Sequence, residues 1–330
     1  MATTISSAAG GRDQLGAAQR PARSLWSDAW RRLRRNRMAM LGLAYLALLV
    51  VVALAAPLIA PHNPIRSENV REAGQYRQAA WISDPNPVRT GLWKYPLGTD
   101  SNGRDVLSRL IYGTRTALVV GFIPMFFTLL IGISVGLAAG FAGGRIDNLL
   151  MRITDVVYAL PALLFFIIMQ VSLKETDFGK LLNGLVLLFF TLSIINWTGV
   201  ARLVRGQVLS IKEKEFIEAA RTIGVSNFQI VLRHILPNTL APIIVAGAFI
   251  VPGAIITEAV LSFLGIGLRP SPNPDAPFPT SWGNMILEGY RAWQTQPWML
   301  VGPAIAIALI TMAFTFVGDG LRDALDPRNE

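Results

Sequence analysis

The sequence predicts an all-α integral membrane protein with six transmembrane helices, and three observations carry that prediction. The 330-residue chain is 52% hydrophobic and only 15% charged, more apolar than a soluble domain of this length needs to fill one core. Its apolar residues gather in blocks near the ~20 residues that cross about 30 Å of hydrocarbon, instead of scattering between charged helix faces. The formal charge of +9 is also placed at a block's edge, with Arg31, Arg32, Arg34, Arg35 and Arg37 immediately before the first one. A basic cluster there holds a helix end on the cytoplasmic side and meets anionic lipid. That location makes membrane lipid the partner of the charge and argues against nucleic acid, which basic chains otherwise suggest.

The elements follow in order. Residues 1–23 carry Ala, Ser, Gly, Thr and Arg with almost no large apolar side chains, too little to bury for a stable structure, and are predicted to be a disordered tail. Over 24–37, Trp26, Trp30 and Leu33 recur at helical spacing with Arg around them, an amphipathic helix lying in the inner interface. Residues 1–37 are thus a cytoplasmic segment. The first transmembrane helix covers 38–60, with Pro57 and Pro61 at its far end. A cleaved signal peptide is the rival reading, but the basic cluster begins only at Arg31 and the apolar run exceeds an ordinary signal core.

Residues 61–116 form an extracytoplasmic loop region, where Pro61, Pro64, Pro85, Pro87 and Pro96 oppose regular structure up to about residue 100. A core domain at 117–318 holds the remaining spans, at 117–141, 156–173, 184–203, 239–264 and 298–318, and 319–330 is a C-terminal tail. Six crossings put both termini on one side. The larger share of Lys and Arg falls on that side, which makes it cytoplasmic. In the second span Gly132, Gly136 and Gly140 make a small-residue stripe that lets another helix approach closely, unless it only reflects the frequency of Gly in membrane helices.

The stretch 206–237, between the fourth and fifth spans, is too polar for lipid and too patterned for a linker. Residues 212–222 are mostly good helix formers. Gly224 can take the left-handed conformation that ends a helix, Ser226 with Gln229 fits a capping box, and Pro237 marks the next boundary. The prediction is a cytoplasmic helix-turn-helix with Glu218, Ala219 and Ala220 near the end of its first arm. The two alanines would present a smooth surface to another protein, and the carboxylate a charged anchor.

Other polar residues admit two readings each. Glu258, in the later half of the fifth span, is costly there unless it faces a cavity, a partner or the interface. It is a candidate for the outer gate of a pathway, or a carboxylate held by a neighbouring helix end. Asn196 and Gln170 line a polar path or serve hydrogen bonds within the bundle. Asp155, near Arg152, reads as a membrane-end anchor, and Asp100, Arg104 and Asp105 as residues that order the outer loop.

No catalytic, metal or cofactor site is predicted. The chain has no Cys and only His62 and His234, which excludes a disulfide framework, a thiolate nucleophile and the usual zinc sites. The spans hold no nucleophile with a base. No Gly-x-x-x-x-Gly-Lys-Ser/Thr loop is present, so the chain is not expected to hydrolyse ATP.

Glu218-Ala219-Ala220, then three residues, Gly224, and later Leu236-Pro237 resemble the EAA loop of permease subunits of binding-protein-dependent ABC importers. The resemblance implies the type I importer permease fold, with this loop as the coupling helix that docks in a cleft on an ATPase subunit. His234 departs from the general pattern, which has an apolar residue there, although Arg233-His234-Ile235-Leu236-Pro237-Asn238 is similar to the peptide-transport branch. Leu97-Gly98-Thr99-Asp100, Gly103-Arg104-Asp105-Val106-Leu107-Ser108-Arg109, Glu258-Ala259-Val260-Leu261-Ser262-Phe263-Leu264-Gly265 and Ser281-Trp282-Gly283-Asn284-Met285 resemble the second, C-type permease of the dipeptide, oligopeptide and nickel branch. The likeness covers nearly all of the chain from about residue 24, but the Pro-rich stretch 269–280 is longer than that branch leads one to expect.

This resemblance implies a subunit in the cytoplasmic inner membrane, paired with a second homologous permease. It further implies two ATPase subunits that bind the ATP and Mg, an extracytoplasmic solute-binding protein, and a di- or oligopeptide substrate. A nickel chelate or another small solute is the alternative within the branch. An ion-driven secondary transporter would instead use midplane sites built from broken helices and inverted repeats, and the sequence shows neither a convincing repeat nor a buried charge pair. A non-transporting membrane scaffold is the remaining alternative.

Overall fold

The computed structural model describes residues 25–66, 73–271, 273 and 276–326; the predicted tail at 1–23 lies outside them. The described residues are helical, joined by turns and one isolated bridge between Thr99 and Asp105. Five helices are long and apolar enough to cross a membrane, and one bent helix pair supplies a sixth crossing.

Helix α1 (Leu25–Arg35) ends where Asn36 turns extended and its side chain accepts from the Ala39 amide at 3.1 Å, which caps the start of α2 (Arg37–Ile59). The apolar side of α1 is not given over to lipid, as the interfacial reading expected. Ala29 and Leu33 pack with Ala39 and with Leu321 and Ala324 at the far end of the chain, and Arg32 donates to the Asp326 carbonyl. Trp30 keeps an exposed face.

Helix α3 (Val106–Ala142) starts well before residue 117. Asp105 caps it by accepting from the Ser108 amide at 2.8 Å. Ser108, Arg109, Thr114 and Thr116 make these first turns polar and loop-like to the eye, but all four are buried. At 37 residues, α3 is about 55 Å long and reaches beyond the hydrocarbon.

The third crossing is not the single helix expected at 156–173. Helices α4 (Gly144–Tyr158) and α5 (Ala162–Leu173) meet at a bend of 78°. Pro161 has no amide hydrogen and disfavours helical backbone at Leu160, so the chain breaks there. A single turn at Asp177–Lys180 leads to α6 (Leu185–Ile211). Arg205 holds Asp147 of α4 through two bonds, at 2.6 and 2.7 Å. Asp155 pairs with Arg202 at 2.7 Å, not with Arg152, and the same guanidinium lies 4.1 Å from the centroid of the Tyr158 ring.

Helices α3 and α6 run parallel in close contact. Gly132, Gly136 and Gly140 lie against Val200, Val204 and Val208, so that a Cβ added at Gly132 would stand 2.5 Å from Val200 Cβ and one at Gly136 2.6 Å from the Ala201 carbonyl oxygen. After the segment 212–235 come α9 (Leu236–Phe263), α10 (Trp282–Arg291, capped by Ser281) and α11 (Trp298–Leu325); α7 and α8, between α6 and α9, belong to the site below.

The loop before α3 is irregular but tightly bonded. Arg77 donates to the carbonyls of Ala73 and Thr90 at 2.8 and 2.6 Å, and Thr99 Oγ1 to that of Gly74 at 2.8 Å. Beneath it Arg109, fully buried, joins Asp100 to Glu288 of α10, and Arg104 bonds the same two carboxylates. This network fastens the loop to α3 and α10; in the sequence Arg109 stood out only as the last residue of a motif, and Glu288 not at all.

Gly136→Val should lower stability by about 1–3 kcal/mol, the usual cost of overpacking, read as a lower melting temperature of the purified protein. Unchanged melting would contradict the close approach of α3 and α6.

Candidate functional site

The segment between α6 and α9 folds as a short elbow. Its first arm, α7, is Glu215–Thr222. Gly224, at φ +82°, ends it in the left-handed conformation that glycine adopts without penalty. The Gly224 amide donates to the Arg221 carbonyl and the Val225 amide to that of Ala220, the two bonds of a Schellman turn. Ser226 then accepts from the Gln229 amide at 3.4 Å and opens the second arm, α8 (Asn227–Ile230).

The second arm does not stop at Pro237. The helix widens into a π turn over Val231–Ile235, where the Leu236 amide donates to the Val231 carbonyl, and continues as α9, so that Asn227–Phe263 is one rod. Pro237 lacks the amide that an α-helix would need there, and a wider turn before it relieves the mismatch. The expected boundary is therefore a continuous passage from elbow into membrane span.

The underside of the elbow is apolar. Ile217, Ala220, Ile230 and Ile235 pack with Val204, Val208 and Ile243, with Val225 and Leu236 at the edge. This corrects the expectation that both alanines face outward: Ala220 is 6% exposed, one turn from Ile217, while Glu218 and Ala219 are open to solvent. A hydrogen bond and a cation–π contact also tie the elbow to α3. Lys212 Nζ donates to the Gly140 carbonyl at 3.1 Å, and the Arg221 guanidinium lies 5.8 Å from the centroid of the Phe141 ring. The outer side exposes Ile223 (80%) and Phe228 (72%), with Phe216 and Leu232 partly open. The sequence reading passed over these four. Their signal was that large apolar residues remained on a polar hairpin after one face had been assigned to packing.

The residues proposed for a pathway are not joined by any hydrogen bond or ion pair among the described residues. Glu258 is 4% exposed. One carboxylate oxygen accepts from Ser262 Oγ at 2.6 Å, and the other lies at the first turn of α10, 3.2 Å from where a Cβ on Gly283 would be. A helix N-terminus, with its unpaired amides, is where a buried carboxylate is tolerated, so the helix-end reading describes its surroundings. Gln170 of α5 is buried with its Nε2 unpartnered, and Asn196 is exposed on α6. No group of three potential metal ligands occurs among the described residues.

Residues 132–330 match the family described as binding-protein-dependent transport system inner membrane component. The chain belongs to that family. Residues 24–78 of this inner membrane component also match the N-terminal TM domain of oligopeptide transport permease C. It is 40% identical to the dipeptide transport system permease protein DppC of Bacillus subtilis (strain 168) over 317 residues, 96% of this chain and 89% of the relative. It is 37% identical to the oligopeptide transport system permease protein OppC of Haemophilus influenzae, over 96% of this chain and 93% of that one. The OppC of Escherichia coli (strain K12) is 36% identical, with 93% and 92% covered. An inward-facing structure of the MetNI methionine ABC transporter superposes with a TM-score of 0.50 at 20% identity, over 66% of this chain and 96% of that one, a likeness of fold.

Within this inner membrane component the two alanines differ in kind. Ala220→Asp puts a carboxylate into the Ile217, Ile230 and Ile235 cluster and should open the elbow to trypsin at Lys212, Lys214 and Arg221, whereas Ala219→Asp should leave it resistant. Equal resistance of the two variants would contradict the inward placement of Ala220.

Proposed function

We propose that this chain is one permease half of an ABC importer that carries di- or oligopeptides inward across the cytoplasmic membrane, and that the elbow is the handle by which a separate ATPase subunit drives it. One observation carries the reading: an exposed apolar pair, Ile223 and Phe228, shares with Glu218, which has no ion pair among the described residues, a hairpin whose second arm is continuous with a membrane span. Large apolar side chains at a water-facing tip are the anchors of a protein interface, and a neighbouring carboxylate sets its register. The names of the relatives, dipeptide and oligopeptide permeases, support the substrate class.

The assembly contains a second homologous permease, two ATPase subunits that bind ATP and Mg, and an extracytoplasmic solute-binding protein; this chain needs no cofactor of its own. The elbow and both termini face the cytoplasm. Supporting this, the Arg-rich α1 packs on the last turns of α11, at the bundle end where α3 meets the elbow, and basic segments stay inside. Glu218, Ala219 and the turn at Gly224 meet the ATPase, while Ala220, Leu236 and Pro237 shape the elbow. When the ATPases close, α8 and α9 move as one rod, and the apolar underside carries α3 and α6 with them, a rigid-body switch between inward-facing and outward-facing states.

The broken third crossing is a feature that ion-driven transporters also use. Here Asp155 and Tyr158, the residues before the break, meet the exposed Arg202 and not a converging set of substrate ligands, so the importer reading is preferred. Within the branch, a nickel chelate is the alternative cargo.

Glu218→Lys and Ile223→Asp in the complete complex, reconstituted in vesicles, should each reduce ATP-driven peptide uptake about tenfold or more, the loss typical of an interface anchor. Near-normal uptake in both would remove the proposal's support.

A further inference from the structure

Helices α2, α3 and α11 enclose a groove at the bundle end opposite the elbow. Its volume is about 270 Å³, and its walls include Leu49 and Val52 of α2, Leu110 and Ile111 of α3, Leu309 of α11, and the Trp282 ring. Of its polar lining, Trp282 Nε1 and Thr114 Oγ1 both donate to the Leu110 carbonyl, at 2.9 and 3.4 Å, and Tyr45 adds one phenol to an otherwise apolar wall. Protein interiors hold few voids larger than a water molecule, and an apolar space of this size stays dry. Left empty, it forfeits the dispersion contacts of every atom lining it. For a groove between membrane-spanning helices, the surrounding fluid able to fill it is hydrocarbon chain.

Arg115 stands at its rim, one turn after Ile111 and next to the lining residue Thr114. Its Nε donates to the Ala53 carbonyl at 2.6 Å, beside Val52, and its guanidinium lies 5.5 Å from the centroid of the Tyr112 ring. Among the described residues no carboxylate pairs with it, and its two terminal nitrogens have no acceptor. A guanidinium with two free donors beside an apolar groove between membrane-spanning helices suits an anionic partner. Helical side chains lean toward the helix N-terminus, so the guanidinium is carried toward the start of α3. There the backbone amide of His62, just beyond α2, donates to Ser108 Oγ at 2.9 Å, so that α2 ends beside the start of α3.

We propose that this groove is a binding site for one bilayer phospholipid, with an acyl chain along Leu49, Ile111 and Leu309 and the phosphate diester on the terminal nitrogens of Arg115. The guanidinium offers two parallel donors to the two non-bridging phosphate oxygens. A free phosphate ion would satisfy the cation and leave the groove unfilled. The lipid braces α2 against the core of the bundle at the end that the elbow does not reach.

Photolabelling tests this on the complete transport complex in phosphatidylcholine vesicles. One arm carries a trace of phosphatidylcholine with a diazirine on an acyl chain, and the other the same diazirine on a diacylglycerol, which has no phosphate. The phospholipid probe should label 110–114 and 305–309 several-fold more than the turn around Leu58, which faces outward with 87% exposure. The diacylglycerol, and the phospholipid with Arg115→Gln, should label the groove about tenfold less, as expected for loss of a charge-assisted pair. Groove labelling no stronger than at Leu58, or equal labelling by the two probes, would overturn the proposal, as would protection of the groove by the second permease. The two-probe comparison uses the wild-type protein and stands even if the variant does not assemble.

Discussion

At Gly132, Gly136 and Gly140, helix α3 has no side chain, and the space is taken by Val200, Val204 and Val208 of α6, turn after turn. In lipid there is no hydrophobic drive between helices, so close packing of this kind is what holds two spans together. Much of the bundle's elbow end is fastened to that pair. Asp147 and Asp155 tie α4 to Arg205 and Arg202 of α6, Lys212 reaches the Gly140 carbonyl of α3, and the underside of the elbow packs on Val204 and Val208. A change that separated α3 from α6 would loosen these attachments together.

The two ends of the bundle are built on different physics. At the elbow end a small apolar cluster closes the underside of a hairpin and leaves large apolar residues exposed on its outer side. At the opposite end, Asp100, Arg104, Arg109 and Glu288 form a buried charged network. Removing one partner from such a network strands the others, which makes it specific and hard to open. Through the π turn before Pro237 the second arm of the elbow runs without a break into a membrane span, while the far end is cross-linked by its charged network.

Much of this was legible in the residues, and the failures have physical causes. The apolar blocks, the glycine stripe and the turn at Gly224 are local signals that the chain obeys locally. Pro161 and Pro237 look alike in sequence but act oppositely: the first breaks a helix, while the second is absorbed by a wider turn that packs through Ile235 into the apolar cluster under the elbow. The start of α3 was hidden because its polar first turns are buried by a loop and by α10, and the Arg109–Glu288 pair joins residues too far apart in sequence for any pattern to link them. Glu218-Ala219-Ala220 was recognisable as a motif, but a motif does not say which alanine faces inward, a question settled only by the register of Ile217 and Ala220 against α6.

Contact between the elbow and an ATPase subunit is open to direct capture. The natural chain contains no Cys, so one cysteine at a time can be placed and followed. In the assembled complex, Phe228→Cys carrying a short photocrosslinker should capture an ATPase subunit, and Trp93→Cys, exposed in the loop at the opposite end, should not. Capture of the ATPase from position 93, or none from position 228 while ATP-driven uptake continues, would mean that the ATPase docks elsewhere than on the elbow.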